Sequence, residues 1–137
     1  MALIPFDDRD GLIWMNGEMI PWRDARTHSL THALHYASQV FEGERAYSGK
    51  IFKSREHTER LRASCQYLDF DLPLGNEEFD AIKAQVLDAN DISDGYVRAF
   101  CWRGSEMMAI SAQETKTFNS LSEFSGSVIK TISTLEN

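Results

Sequence analysis

The chain has 137 residues, of which 42% are hydrophobic, so it is long enough to fold as one domain around a buried core. Its 14 basic and 21 acidic side chains give a net charge of −7, which argues against non-specific binding to nucleic acid or to an anionic membrane. The two cysteines are far apart in apolar surroundings, the first residues lack a signal-peptide pattern, and no apolar run could cross a bilayer. We therefore expect a cytoplasmic protein with reduced cysteines whose partner is a small molecule or another protein.

Two turn-forming dipeptides predict hairpins in the first half of the chain. Asn16-Gly17 separates two apolar runs, and this pair tolerates the positive φ that a type I′ turn requires at both central positions. Ser48-Gly49 separates residues 44–47 from residues 50–53 in the same way. The sequence therefore predicts two antiparallel strand pairs.

Between the hairpins, residues 27–39 have the pattern of a short helix. Ser29 or Thr31 can supply the side-chain oxygen that caps its first turn. The helical pattern ends before Gly43, so we interpret this glycine as a hinge that leads into the second hairpin.

Two longer helices follow. Ser54 is expected to cap the first, and Asn76 is expected to cap the second after the breaks at Pro73 and Gly75. Each helix has an apolar stripe at helical spacing, formed by Leu61, Cys65 and Leu68 in the first and by Phe79, Ile82 and Val86 in the second. The outward side of the first helix is predicted to carry Arg55, Glu59 and Arg62. Both helices should pack against a sheet.

Residues 95–102 alternate in the manner of a strand with two different faces. One face carries Tyr96, Arg98, Phe100 and Trp102, and the other carries Val97, Ala99 and Cys101. Hairpins that alternate with helices predict an α/β fold of the α+β type, with a mostly antiparallel sheet covered by two helices. From Thr115 the composition shifts to Ser, Thr and Asn, so we place the domain in residues 1–116 and expect residues 117–137 to be a divergent, poorly specified tail.

Metal binding and nucleophilic catalysis have weak support in this sequence. His28, His32 and His35 could share one helix face, but no Cys, Asp or Glu stands at ligand spacing to complete a zinc site. Neither cysteine has an electropositive setting, and no nucleophile elbow or phosphate loop is present. We predict neither a metal site nor a catalytic nucleophile.

Three arginines indicate an anionic ligand. Arg45 lies close after Gly43, Arg60 lies near the start of its helix, and Arg98 lies on the aromatic strand face beside Tyr96. Backbone N–H groups and the helix dipole favour an anion near a helix N-terminus, and a guanidinium among aromatic rings needs an oxygen-rich partner. The alternative is that each arginine is a solvated surface charge. A phosphate or carboxylate ligand would explain Arg60 and Arg98 together.

Several motifs in the right order resemble a known family over residues 12–116. They are Met15-Asn16-Gly17-Glu18, His32-Ala33-Leu34-His35-Tyr36, Phe41-Glu42-Gly43-Glu44-Arg45-Ala46-Tyr47, Arg55-Glu56-His57 through Arg60-Leu61, and Tyr96-Val97-Arg98. This succession resembles the N-terminal domain of branched-chain amino acid aminotransferases, which are fold-type IV pyridoxal phosphate enzymes. Glu44 departs from the pattern, because the family often has an apolar residue there.

The resemblance implies roles for individual residues. Arg60 would clamp the phosphate of pyridoxal phosphate. The substrate side would be lined by Phe41, Gly43, Arg45, Tyr96 and Arg98, with the glycine admitting a close approach of the ligand. Tyr36 would reach across the interface of a homodimer into the neighbouring substrate pocket. The family reaction transfers an amino group between leucine, isoleucine or valine and 2-oxoglutarate, with glutamate as the amino donor in reverse.

The resemblance also implies that part of the machinery lies outside this sequence. The Schiff-base lysine of the family belongs to a C-terminal domain, and no lysine here has a matching context: Lys50, Lys53, Lys83, Lys116 and Lys130. We therefore expect a truncated member that is inactive alone and supplies no catalytic residue. Two alternatives remain open. One is a non-catalytic dimerisation or interaction module, and the other is a different fold-type IV activity, such as that of a D-amino acid aminotransferase or an aminodeoxychorismate lyase.

Overall fold

The described residues form a six-stranded antiparallel sheet. A computed structural model describes residues 4–105 and the backbone of Phe124–Thr131. The strands are β1 Leu12–Met15, β2 Glu18–Pro21, β3 Gln39–Tyr47, β4 Lys50–Ile51, β5 Gly95–Arg103 and β6 Phe124–Thr131. The helices are α1 His32–Tyr36, α2 Ser54–Tyr67 and α3 Asn76–Ala89, with a 3-10 turn at Trp22–Asp24. The order across the sheet is β2-β1-β6-β5-β3-β4, and every neighbouring pair is antiparallel.

Both predicted hairpins are present. Asn16 and Gly17 have φ values of 54° and 101°, and Ser48 and Gly49 have φ values of 49° and 75°, so each pair occupies the left-handed region that a type I′ turn requires. β3 is longer than predicted and runs unbroken through Gly43. The hinge assigned to Gly43 is therefore wrong, and the residue is the centre of a strand.

The helix predicted over residues 27–39 is shorter than expected. It comprises His32–Tyr36 and ends at Ala37, which has a left-handed φ of 54°. Thr31 occupies the N-cap position without a side-chain capping bond, while Ser29 offers its backbone carbonyl to His35 Nε2 at 2.8 Å. Neither of the two predicted caps therefore acts as one.

Polar side chains at the start of the two long helices bind across the structure instead of capping their own helix. The N-cap positions belong to Lys53 and Gly75, one residue before those predicted. Ser54 donates to Asp80 at 3.1 Å, and the amide oxygen of Asn76 accepts from Arg62 Nε at 2.9 Å. These bonds join α2 to α3.

The core lies between one face of the sheet and the helices α2 and α3. One buried cluster joins α2 and α3 to β5 and includes Leu61, Cys65, Phe79, Ala99 and Cys101. A second cluster joins α3 to β1, β3 and β5 and includes Trp14, Ala46, Val86, Leu87 and Val97. The predicted helix stripes are thus confirmed, with Leu68 and Ile82 partly buried at the margin. Of the two predicted faces of β5, the one that carries Val97, Ala99 and Cys101 packs against the helices.

Arg62 does not point outward as predicted. Its guanidinium donates to the backbone carbonyls of Leu72, at 2.7 Å, and Leu74, in addition to Asn76. A guanidinium has five N–H donors in a planar fork, which suits it to several carbonyls at once. Arg62 therefore holds the connection between α2 and α3 against α2.

β6 comes from the segment expected to be a poorly specified tail. It lies between β5 and β1, and its register with β5 runs from Tyr96↔Thr131 to Arg103↔Phe124. A strand at Phe124–Thr131 thus lies within the segment for which we expected a poorly specified tail. The domain boundary at Lys116 stays a prediction, since residues 106–123 are outside the described part.

Among the described helices, none is long and apolar enough to cross a membrane.

Candidate cofactor and substrate site

The pairing of β3 with β5 brings five predicted site residues together. Gly43 lies opposite Arg98, and Arg45 lies opposite Tyr96. Alternate residues of β3 are buried under the helices, so Phe41 and its neighbours at positions 43 and 45 belong to the opposite, open face of the sheet. The two strands thus form one surface with two arginines and two aromatic rings around a glycine.

Arg98 is held by aromatic rings. Its guanidinium carbon lies 4.3 Å from the ring centroid of Phe41 and 5.5 Å from that of Tyr96. Within the described part of the chain, no carboxylate forms an ion pair with it. Arg45 is exposed and lies 5.6 Å from the ring of Tyr47. Both guanidinium groups can therefore donate hydrogen bonds to an anionic ligand on this face.

Gly43 is required by Tyr96. A Cβ atom at position 43 would lie 2.3 Å from the Tyr96 hydroxyl oxygen and 3.0 Å from Cζ, closer than real Cβ contacts. The structure thus gives a reason for this glycine that the sequence did not reveal, because the ring of Tyr96 crosses directly over it. A role of Gly43 toward a ligand stays a prediction.

Tyr36 lies apart from these two strands, on α1. Its side chain is 41% exposed, and the neighbouring Leu34 is 65% exposed. The ring of Tyr36 packs 4.6 Å from that of His32, whose backbone N–H donates to the Gly104 carbonyl just after β5. The helix is therefore anchored to the end of β5 while its apolar side chains remain uncovered.

Arg60 lies on α2 and forms a side-on ion pair with Glu42 of β3. Nε donates to Oε1 at 2.6 Å and Nη2 donates to Oε2 at 2.5 Å. Glu42 also accepts from Nδ1 of His57 at 2.8 Å. The Arg60 side chain is 67% exposed, whereas that of Glu42 is 5% exposed. A fixed, buried carboxylate therefore holds an exposed guanidinium.

This arrangement corrects one part of the sequence argument. Arg60 is the seventh residue of α2, so its own N–H is inside the helix and the dipole effect of the first turn has largely fallen off. Anion binding at Arg60 would depend on its guanidinium. Burial acts to raise the pKa of Glu42, but the hydrogen bonds from Arg60 and His57 outweigh it, and the pKa lies below its usual value.

Arg60 and the open-face residues border the same edge of the sheet. β4 pairs with β3 only at Ala46 and Tyr47, so in the described residues the outer edge of β3 has no strand partner before these positions. Glu42 and Arg60 lie on the helix side of that edge, and Phe41 and Gly43 lie on the open side. The pair of Glu42 and Arg60 therefore lies on one face of β3 and the open-face residues lie on the other, and both are next to the unpaired edge of this strand.

The match to a family model decides the assignment of the chain. The model of amino-transferase class IV matches residues 39–130, which include β3, α2, α3, β5 and most of β6. The chain belongs to the class IV aminotransferases. Pyridoxal phosphate is the cofactor of this family.

Two solved structures and one sequence relative show what the chain is similar to. It is 48% identical over 98 residues to a "probable branched-chain-amino-acid aminotransferase" of Rickettsia bellii, covering 72% of this chain and 34% of the relative. The structure of the Escherichia coli branched-chain amino acid aminotransferase matches with a TM-score of 0.79 at 28% identity, covering 90% of this chain and 41% of the other. A second solved branched-chain amino acid aminotransferase, from T.th. and complexed with N-(5'-phosphopyridoxyl)-L-glutamate, matches with a TM-score of 0.76 at 33% identity, covering 88% and 39%.

The chain thus spans between a third and a half of the length of these aminotransferases. The resemblance to the family and the fold expected for its N-terminal domain are confirmed. The likeness extends beyond Lys116, since the match of the family model continues to position 130.

A buried ionic cluster in this aminotransferase chain was missed by the sequence argument. Lys83 of α3 and Glu44 of β3 are both 0% exposed, and Lys83 Nζ donates to Glu44 Oε2 at 2.8 Å. Nζ also donates to Thr58 Oγ1 at 2.8 Å and to the Ser54 carbonyl at 3.0 Å. Thr58 in turn donates to Asp80 at 2.5 Å. Two sequence signals could have revealed the pair, namely the departure at Glu44 and a lysine inside the apolar stripe of α3.

Glu44 is incompletely satisfied in this cluster. Its Oε1 atom is buried without a hydrogen-bond partner in the described part of the chain. Burial raises the pKa of Glu44, and the hydrogen bond from Lys83 offsets this only in part. The stability of this buried pair therefore depends on both partners, because removing either one would leave the other charge buried and uncompensated.

The three histidines of the weak zinc hypothesis each make a local hydrogen bond. His32 Nδ1 lies 2.7 Å from Ser38 Oγ, His28 Nδ1 accepts from the Leu30 N–H at 3.1 Å, and His35 bonds to Ser29 as described. No group of three potential ligands is found within residues 4–105.

Proposed function

We propose that this chain forms the phosphate clamp and one wall of the substrate pocket in a pyridoxal phosphate-dependent branched-chain aminotransferase. The reaction would exchange an amino group between leucine, isoleucine or valine and 2-oxoglutarate. The observation that carries the proposal is Arg60, whose exposed guanidinium is anchored by Glu42 beside the unpaired edge of β3.

The residues present fit a phosphate group. Glu42 occupies Nε and one proton of Nη2, and Nη1 of Arg60 has no partner in the described part of the chain. The remaining edge of the guanidinium can therefore donate two parallel N–H bonds to a phosphate. In this family the bound cofactor acts as an electron sink during amino transfer.

The open face supports the assignment of the substrate side. Phe41 and Tyr96 supply apolar surface suited to a branched aliphatic side chain, while Arg98 and Arg45 can receive the distal carboxylate of glutamate or 2-oxoglutarate. Gly43 completes this wall without a side chain. A ligand at the edge of β3 would meet Arg60 on one side and this wall on the other.

A homodimer in the cytoplasm belongs to the same proposal. The exposed apolar side chains of Leu34 and Tyr36 project from α1, and burying them against a second subunit would remove apolar surface from water. In such a dimer Tyr36 would approach the pocket of the partner subunit.

We further propose that the 137-residue chain alone is not catalytically competent. Lys83 is buried in the cluster with Glu44, and Lys50 and Lys53 lie at the exposed hairpin end away from Phe41. Amino transfer needs a lysine that holds the cofactor and moves a proton. None of these three lysines has the surroundings for that role.

The test is the affinity for pyridoxal phosphate, measured by fluorescence titration of the chain. Arg60→Ala should weaken binding by about tenfold or more, since a charged hydrogen-bond pair is lost. Arg60→Lys should recover part of the affinity, because an ammonium group keeps the charge without the planar fork. The control is Arg26→Ala, which removes the same charge from an exposed position. Equal affinity in the wild type and Arg60→Ala would overturn the phosphate assignment.

A further inference from the structure

We infer that Glu42 is the positioning residue for the phosphate clamp, holding Arg60 through the side-on pair so that the other edge of the guanidinium faces the ligand. This inference rests on the proposed role of Arg60 as the phosphate clamp. It assigns Glu42 a role in ligand binding although the carboxylate itself would repel a phosphate.

The geometry separates the two edges of the Arg60 guanidinium. Glu42 accepts from Nε and Nη2, which are the donors of the side-on edge. One proton of Nη1 and the second proton of Nη2 then point along the end-on edge. A bidentate phosphate contact uses one proton from each of these two nitrogens. The ion pair with Glu42 and the proposed phosphate contact are thus compatible at the same time.

His57 keeps the second proton of Nη2 available. The ionised carboxylate of Glu42 can only accept, so Nδ1 of His57 must carry the proton in the 2.8 Å bond between them. A protonated Nδ1 cannot accept a hydrogen bond from Arg60 Nη2, although the two atoms lie 3.3 Å apart. The histidine therefore orients Glu42 without competing for the donors of Arg60.

An exposed arginine needs such a support to bind an anion well. The Arg60 side chain is two-thirds exposed, and a long exposed side chain loses rotamer freedom when a ligand fixes it. Glu42 lies on the central part of β3, with its carboxylate almost wholly buried, so its position is set by the sheet. Pairing with Glu42 therefore fixes Arg60 before the ligand arrives.

A role of Glu42 through its charge and a role in positioning Arg60 predict opposite effects of Glu42→Gln on anion binding. If Glu42 acted only through its charge, Glu42→Gln would strengthen anion binding, because a negative group beside the guanidinium would be gone. If Glu42 positions Arg60, the same change should weaken binding, because the side-on pair loses its charged acceptor. Glu42→Asp keeps the charge but shortens the side chain by one methylene, so it should also weaken binding.

The experiment measures pyridoxal phosphate affinity and the order of the Arg60 side chain in the same set of variants. We expect Glu42→Gln and Glu42→Asp to bind about 3- to 10-fold more weakly than the wild type, the cost of one impaired hydrogen bond. Glu59→Gln, which removes a charge from an exposed neighbour on α2, serves as the matched control and should bind as tightly as the wild type or slightly more tightly. Circular dichroism checks that each variant is folded.

The second readout is ¹⁵N relaxation of the Arg60 Nε–H group in the ligand-free protein. It should report a restrained side chain in the wild type and a mobile one in Glu42→Gln, with the exposed Arg45 as the reference for a mobile arginine. If the variants do not fold, the wild-type comparison of Arg60 with Arg45 still decides whether Arg60 is held.

The outcomes separate this inference from the proposed function. Affinity that is lost in Arg60→Ala but unchanged or increased in Glu42→Gln would overturn the role of Glu42 and leave the clamp intact. Affinity that is the same in Arg60→Ala and the wild type would overturn the clamp itself. An Arg60 side chain as mobile as Arg45 in the wild type would overturn the positioning role whatever the affinities are.

Discussion

Removing the amino group of Lys83 should destabilise the protein strongly, because it would leave Glu44 buried without a charge partner. Lys83 and Glu44 are both 0% exposed, and the ammonium also donates to Thr58 and to the Ser54 carbonyl. Breaking a buried ion pair from one side costs roughly 3 to 5 kcal/mol. For a domain of this size that corresponds to a fall in Tm of about 10 °C or more. We expect this loss in Lys83→Met, which keeps most of the side-chain volume.

The assay is urea unfolding followed by tryptophan fluorescence, since all three tryptophans are buried. The double variant Glu44→Leu with Lys83→Met should recover at least half of the loss, because an apolar pair replaces a half-broken ionic one. Lys53→Met is the control, since this lysine is exposed. A loss in Lys83→Met of less than about 1 kcal/mol, the usual value of an exposed pair, would refute the burial of the charge.

The pH dependence of Lys83→Met gives an independent check on the same reasoning. Burial already raises the pKa of Glu44 in the wild type, and removing Lys83 should raise it further. A carboxyl whose folded pKa is raised stabilises the fold below its unfolded pKa and loses that contribution as the pH rises through the folded pKa. The variant should therefore be closer to the wild type at pH 5 than at pH 8. A deficit that grows as the pH falls would contradict this assignment.

Three further predictions follow from the sheet and its edge. Gly43→Ala should cost about 1 to 3 kcal/mol in urea unfolding, because its Cβ would meet the Tyr96 hydroxyl, and Tyr96→Phe should relieve part of the cost; an unchanged midpoint would contradict the packing. The pKa of Glu42 is lowered, so its stabilising contribution is present above the unfolded value of about 4.5 and is lost as the pH falls through the folded pKa. The wild type should thus lose stability more steeply than Glu42→Gln below pH 4.5, and parallel curves would contradict the pairing. Backbone amides of β6 should be protected in hydrogen exchange as strongly as those of β5, because β6 lies between two strands; exchange as fast as in an unstructured peptide would refute this place in the sheet.

Local patterns in the sequence were sufficient for most elements of the fold. The Asn16-Gly17 turn follows from the backbone preference of two adjacent residues. The apolar stripes of α2 and α3 and the alternation along β5 follow from the spacing of apolar residues within each element. The same alternation indicated which residues of β5 share the open face with an arginine. Tertiary pairing of β3 with β5 then brought five of the six predicted substrate residues together, and Tyr36 lies apart on α1.

The parts that the sequence did not reveal depend on contacts between distant segments. Gly43 resembled a hinge because its steric partner, Tyr96, is far along the chain. Arg62 resembled a surface residue because its acceptors are carbonyls of the following loop. β6 has a weak pattern of its own, and its neighbours in the sheet come from both ends of the described chain. In each case local propensity was overridden by packing.

The site shows the same division. Arg60 was identified through the family resemblance, but the sequence placed it at a helix N-terminus and did not indicate its pairing with Glu42. The two residues are 18 positions apart, on different elements, and only the packing of α2 on β3 brings them together. The pair of Glu44 and Lys83 was missed for the same reason, since the two residues are 39 positions apart on β3 and α3.

The most direct test of the central claim is where pyridoxal phosphate binds on this chain. A titration followed by ¹H–¹⁵N NMR should shift the Arg60 Nε–H signal together with the backbone amides of Phe41 and Gly43, because the clamp and the substrate wall border one edge of β3. In Arg60→Ala the shifts at β3 should require much higher concentrations of the cofactor. Shifts that leave Arg60 and β3 unchanged, or that are identical in the Arg60→Ala protein, would contradict the account.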